Sequence, residues 1–128
     1  MKKGCVYATT TLLYGNDGLI KIGSTSKEKP IERLETLSKQ HPQRFYPLMW
    51  IQLYNQKSAE VLLHRFFTKY KYNGDCGTEW FKHIPIKELL SGFTYIEDIS
   101  GGLLVYPGFV KKNGKWIVEN VADSLLEL

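Results

Sequence analysis

The sequence predicts an α+β fold, and three observations carry that expectation. Residues 4–10 and 19–25 alternate their side chains around a glycine-containing turn, the pattern of a β-hairpin. Residues 30–40 and 58–70 repeat apolar side chains at helical spacing. Between them, residues 44–54 return to β-type composition. The expected order is β-β-α-β-α: a three-stranded, mainly antiparallel sheet flanked by helices, with a C-terminal β-hairpin added.

Each element has its own local reason. In the first strand Val6 and Ala8 alternate with Tyr7 and Thr9. Tyr14-Gly15-Asn16-Asp17-Gly18 carries residues that tolerate positive φ and reads as the turn. In the returning strand Leu19, Lys21 and Gly23 share one face, with Ile20 and Ile22 on the other. Pro30 suits the first turn of a helix, and Glu32 complements its positive end. Ile31, Leu34, Leu37 and His41 recur at helical spacing until Pro42 stops the run.

Strand 44–54 sets Tyr46, Leu48, Trp50 and Gln52 against Phe45, Met49, Ile51 and Leu53. The next helix is expected to bury Ala59, Leu62, Leu63, Phe66 and Tyr70. Tyr72 to Gly77 reads as a loop closed by Glu79-Trp80-Phe81. A short helix, Ile86 to Leu90, is expected to end at Gly92 in the manner of C-cap glycines. At 109–118 the Asn113-Gly114 pair fits a tight hairpin turn. Residues 1–100 thus read as one domain and 101–128 as a hairpin extension, with Gly101-Gly102 as a hinge.

Composition bounds what such a chain does. A length of 128 residues leaves no room for separate cofactor and substrate domains. Seventeen Lys and Arg against thirteen Asp and Glu give a net charge of +4, which suits a polyanionic partner such as DNA. No apolar run approaches the roughly 20 residues of a membrane helix. The opening MKKGCVYATTTLLYG lacks a signal-peptide pattern, so a soluble, intracellular protein is expected. Cys5 and Cys76 follow no ligand spacing, and adding His41, His64 and His83 still makes no zinc motif. Reduced thiols are the plainer reading. A nucleophile elbow and a phosphate-cradling glycine loop are both missing.

Several fragments gain meaning from their order. Gly4-Cys5-Val6-Tyr7 opens the first strand, and Lys21-Ile22-Gly23-Ser24-Thr25 closes the second. Arg33-Leu34, with Leu37, lies on the first helix, and Glu60 and His64 precede Phe66 on the second. Glu79-Trp80-Phe81 follows. In this order, over residues 4 to 83, the chain resembles the GIY-YIG endonuclease superfamily, nearest its phage and large-virus branch. It departs from that pattern by an extra residue between Gly4 and Tyr7, and by Lys21 in place of the second motif's tyrosine.

The resemblance implies a metal-dependent endonuclease that hydrolyses DNA phosphodiester bonds. Tyr7 would be general base or proton relay; a free phenol titrates near about 10, so it needs a cation such as Lys21 beside it. Arg33 would brace the non-bridging oxygens as charge builds on them. Glu60 would anchor Mg²⁺ or Mn²⁺, because Mg²⁺ accepts a single carboxylate when waters and phosphate complete its shell. His64, one turn beyond, would orient Glu60 or a water. Gly23, Ser24 and Thr25 are expected to contact substrate, with Lys111, Lys112 and Lys115 extending the DNA footprint from the hairpin tip. Cutting both strands would call for a homodimer or two visits.

Each of these residues also has an ordinary reading: a strand tyrosine, a solvated helix arginine, a surface glutamate at a helix start, a packed histidine. Glu79-Trp80-Phe81 reads as structural, two aromatics closing a small domain with Glu79 free to pair a basic neighbour. The competing functions are a GIY-YIG-like domain that binds DNA with weak or no cleavage, and a protein-interaction module.

Overall fold

The computed structural model describes residues 2–11, 13–14, 17–40, 44–73 and 79–105, together with the backbone of 109–112 and 115–118. The turn centre Gly15-Asn16, the helix stop His41-Pro42, Cys76, the Asn113-Gly114 turn and the side chains of Lys111, Lys112 and Lys115 lie outside the described residues.

The predicted α+β class is what forms. Strands β1 (Gly4–Thr10), β2 (Leu19–Thr25) and β3 (Tyr46–Leu53) make the antiparallel trio, with β1 in the middle. The trio is the centre of a larger, five-stranded sheet of order β4-β2-β1-β3-β5, antiparallel throughout. Its edges are β4 (Trp80–Lys82), paired to β2, and β5 (Leu103–Val105), paired to β3. Three-residue strands are too short to display a period of two, which is why the sequence hides them. The hairpin β6 (Phe109–Lys112) and β7 (Lys115–Val118) forms a separate two-stranded sheet, with Lys112 paired to Lys115.

Helix α1 (Ile31–Lys39) covers one face of the sheet. Helices α2 (Gln56–Phe66) and α3 (Ile86–Ser100) cover the other. Central strands are therefore buried on both sides, and every residue of β1 is buried. Val6, Ala8, Ile20, Ile22 and Ile51 pack with Ala59, Leu63, Phe67, Leu89 and Phe93 under α2 and α3. Cys5, Tyr7, Leu19, Trp50 and Trp80 pack with Leu34 and Phe45 on the α1 side. Ser38 ties α1 to the approach of β3: its hydroxyl donates to the Leu34 carbonyl at 2.7 Å and accepts the Phe45 N–H at 3.0 Å.

Two expectations about helices need correction. The buried stripe of α2 is Ala59, Leu63 and, at its C-cap, Phe67, an i, i+4, i+8 row. Leu62 and Phe66, expected inside, are 41% and 53% exposed. The adjacent pairs Leu62-Leu63 and Phe66-Phe67 fit two rows equally well from sequence, and contact with α3 selects one. Helix α3 also runs on past Gly92 to Ser100, and the left-handed C-cap is Gly101 at φ +68°. Gly92 has a packing role instead: a Cβ there would lie 2.6 Å from the Phe67 ring.

Candidate active site

Alternation along the strands fixes which side chains meet. Tyr7 pairs across the ladder with Gly23, and a Cβ on Gly23 would stand 2.7 Å from the Tyr7 hydroxyl oxygen. Glycine is thus required so that the phenol can lie over β2. The close approach expected at Gly23 is made within the chain by Tyr7. On the same face Lys21, 14% exposed, forms an ion pair with Glu79 at 3.0 Å. Glu79 sits just before β4, whose Trp80 is opposite Lys21. Arg33, on the solvent side of α1, lies close enough for its guanidinium to act on the Tyr7 phenol.

Burial pushes the Tyr7 phenol up to about 12; the Arg33 hydrogen bond and charge pull the other way, and Glu79 and Cys5 add to the rise. Desolvation outweighs the guanidinium, so Tyr7 carries its proton at neutral pH. Of the two cations, Arg33 is the one whose charge acts on the phenol, and Lys21 is engaged by Glu79. Cys5, on the same buried face, is a free thiol also raised to about 12 by burial, which leaves it inert as a nucleophile.

Glu60 and His64 are elsewhere. They ride on α2, against the face carrying Ile22 and Ser24, while Tyr7 belongs to the α1 side. The Ser24 hydroxyl donates to Glu60 Oε1 at 2.6 Å, and Lys57 Nζ is 4.0 Å from the same oxygen. His64 Nε2 is 2.9 Å from the Ile22 carbonyl oxygen and 3.9 Å from Glu60 Oε2. A carbonyl only accepts, so the bond places a proton on Nε2. Glu60 is thus held at Ser24, one residue along β2 from the Gly23 against which Tyr7 lies. A second carboxylate, Glu79, lies near Tyr7 and Lys21. Thr25 accepts the Lys27 N–H at 3.4 Å.

Glu79 was legible as a partner for a basic residue but not as a site residue. The signal was its place before an aromatic pair able to add a strand beside Lys21-Ile22-Gly23.

Two glutamates could each offer a carboxylate to a divalent ion completed by water and phosphate. Glu60 is 13% exposed, with Ser24, Lys57 and His64 around its oxygens. Glu79 is 37% exposed and already paired with Lys21 at 3.0 Å. Among the described residues there is no group of three or more His, Cys, Asp or Glu placed to hold a metal. No helix among them is long and apolar enough to cross a membrane.

A phenol under a guanidinium, beside an ammonium–carboxylate pair, on the face of a small α+β domain is an arrangement suited to phosphate chemistry. The family model described as the T5orf172 domain matches residues 4–97, and the chain belongs to that family, which is associated with nuclease-type domains. No curated protein and no solved structure matches the chain.

Proposed function

We propose that the chain is an endonuclease that hydrolyses DNA phosphodiester bonds with the help of a divalent ion, at the face formed by Tyr7, Lys21, Arg33 and Glu79. The observation that carries this reading is the convergence of two cations, a phenol and one carboxylate beside Gly23. Arg33 and Lys21 supply the positive charge a phosphate needs, and the planar Arg33 guanidinium can meet it with two donors. Their attraction grows as charge accumulates on the non-bridging oxygens. Tyr7, protonated in the resting protein, holds a proton within reach of Arg33 and of any phosphate that Arg33 binds. Glu79 would hold Mg²⁺ or Mn²⁺, which when bound would neutralise phosphate charge and lower the pKa of a coordinated water.

The buried, protonated phenol and the Glu79–Lys21 pair also favour a second reading, a DNA-binding domain with little or no cleavage. Incubation with supercoiled plasmid, branched DNA and single-stranded DNA, each with Mg²⁺, Mn²⁺ or EDTA, separates the two. Metal-dependent nicking supports the nuclease; binding to every substrate without a cut supports the second reading. A homodimer, with one site per strand, is the proposed form for double-strand cleavage, and sedimentation on DNA tests it.

A further inference from the structure

We infer that the apolar groove between α2 and α3 seats residues 119–128 of the same chain, the acidic segment that follows β7. The inference does not rest on the nuclease reading. The two helices touch at Gly92, where a Cβ would stand 2.6 Å from the Phe67 ring. Beyond that contact, between the first half of α2 and the last turn of α3, lies a groove of about 310 Å³. Its apolar lining is Leu53, Tyr54, Ala59, Leu62, Ile96 and Ile99. Tyr54, Leu62 and Ile99 are 45%, 41% and 54% exposed, and one turn further along each helix the exposed Phe66 and Tyr95 extend the patch. Single exposed apolar side chains are ordinary, but a contiguous patch on a small domain marks a contact surface.

Charge, sequence pattern and reach choose the occupant. Residues 119–128 hold three of the chain's thirteen acidic residues and none of its seventeen Lys and Arg, so they carry −3 against +7 on the remainder. Basic groups border the groove. The Lys3 ammonium lies 5.7 Å from the centre of the Tyr54 ring, Lys57 is exposed beside Ser58 of the lining, and Arg65 is exposed one turn from Leu62. The α3 acids are engaged elsewhere: Glu88 accepts the Tyr70 hydroxyl, Glu97 accepts the Leu104 N–H at 2.6 Å, and Asp98 lines another depression with Lys87 and Thr94. In the sequence of the segment, Val121, Leu125 and Leu128 recur at i, i+4 and i+7, with Glu119, Asp123 and Glu127 in a row of their own. So short an amphipathic stretch is marginal as a helix by itself and needs an apolar partner. The chain can deliver it: β6 lies against β3, β7 returns Val118 to the level of Phe109, and the segment extended would span about 33 Å. The groove opens at Leu53, about 10 Å along β3 from Trp50, where β5 ends. Tethering gives the segment an effective concentration on the order of millimolar, above that of a second copy in dilute solution.

The test is methyl NOE spectroscopy on the full chain, ¹³C-labelled at Ile, Leu and Val methyl groups. Signals are assigned by their loss in the conservative variants Ile99→Val, Leu62→Met and Leu125→Met. Val121 and Leu125 should show cross-peaks to Leu62 and Ile99. Leu125→Asp should abolish them and shift the Ile99 methyl signals, because a carboxylate in the groove costs more than the contact returns. In a mixture of labelled and unlabelled chains, filtered for contacts between the two, the same cross-peaks should be missing. Absence of any cross-peak from the segment to Leu62 or Ile99 in the wild type overturns the inference. Cross-peaks that persist between chains in the mixture also overturn it and give the groove to a second copy. Ile99 signals that stay in place in Leu125→Asp overturn it as well. The wild-type cross-peaks decide the question even where Leu125→Asp fails to fold.

Discussion

Tyr7 is where sequence, burial and chemistry meet. Its phenol is 1% exposed, faces Gly23 across the ladder and feels the Arg33 charge. A phenol raised to about 12 in the folded chain and titrating near about 10 when unfolded contributes stability that is complete below pH 10. That contribution is lost as pH rises from there through 12. Alkaline denaturation followed by circular dichroism should therefore begin earlier for wild type than for Tyr7→Phe. Arg33→Ala removes a hydrogen bond and a charge that both lower the phenol, so the Tyr7 transition should move higher still. Gly23→Ala must displace the phenol, because its new methyl would fall within 2.7 Å of the hydroxyl; it should cost about 1–3 kcal/mol in urea unfolding. Alternation in 19–25 already placed Lys21 and Gly23 on the side of the sheet that turned out to hold Tyr7. The pairing of Lys21 with Glu79 was not legible, because it depends on a strand of three residues across the sheet.

The elements differ in how plainly their own sequences specify them. Strands β1 to β3 are long enough to show a period of two, and α1 carries its own stop and start signals. Helix α2 offered two apolar rows, and the helix alone contains nothing that chooses between them. The face of the sheet it covers is also a tertiary matter: the chain leaves β3 through Asn55 in the left-handed conformation, φ +60°, before α2 begins. From α2, Glu60 reaches Ser24. Packing variants test the corrected rows. Phe67→Ala should lose about 3–5 kcal/mol, as a fully buried aromatic does, and Phe66→Ala well under 1 kcal/mol. Gly92→Ala drives a methyl to 2.6 Å from the Phe67 ring and should cost about 1–3 kcal/mol. Were Gly92 a C-cap, Phe67→Ala would relieve nothing in that variant; as a packing contact, the two substitutions should be strongly non-additive.

At the scale of the whole molecule, two polar clusters flank β2. The α1 side gathers Tyr7, Lys21, Arg33 and Glu79; the α2 side gathers Ser24, Glu60 and His64. Net charge of +4 suits a polyanion on either face, so DNA affinity alone does not distinguish them. Salt dependence helps in part: Lys21 and Arg33 contacting phosphate should each contribute about one unit to the slope of log K against log salt, and Arg33→Ala should flatten it accordingly. The most direct measurement is plasmid nicking by wild type, Glu79→Gln and Glu60→Gln side by side, with Mg²⁺ or Mn²⁺ and with EDTA. Metal-dependent nicking by wild type is expected, with most of that activity kept in Glu60→Gln and a loss of about a hundredfold or more in Glu79→Gln with DNA binding retained. Full activity in Glu79→Gln together with a dead Glu60→Gln would instead put the ion at α2.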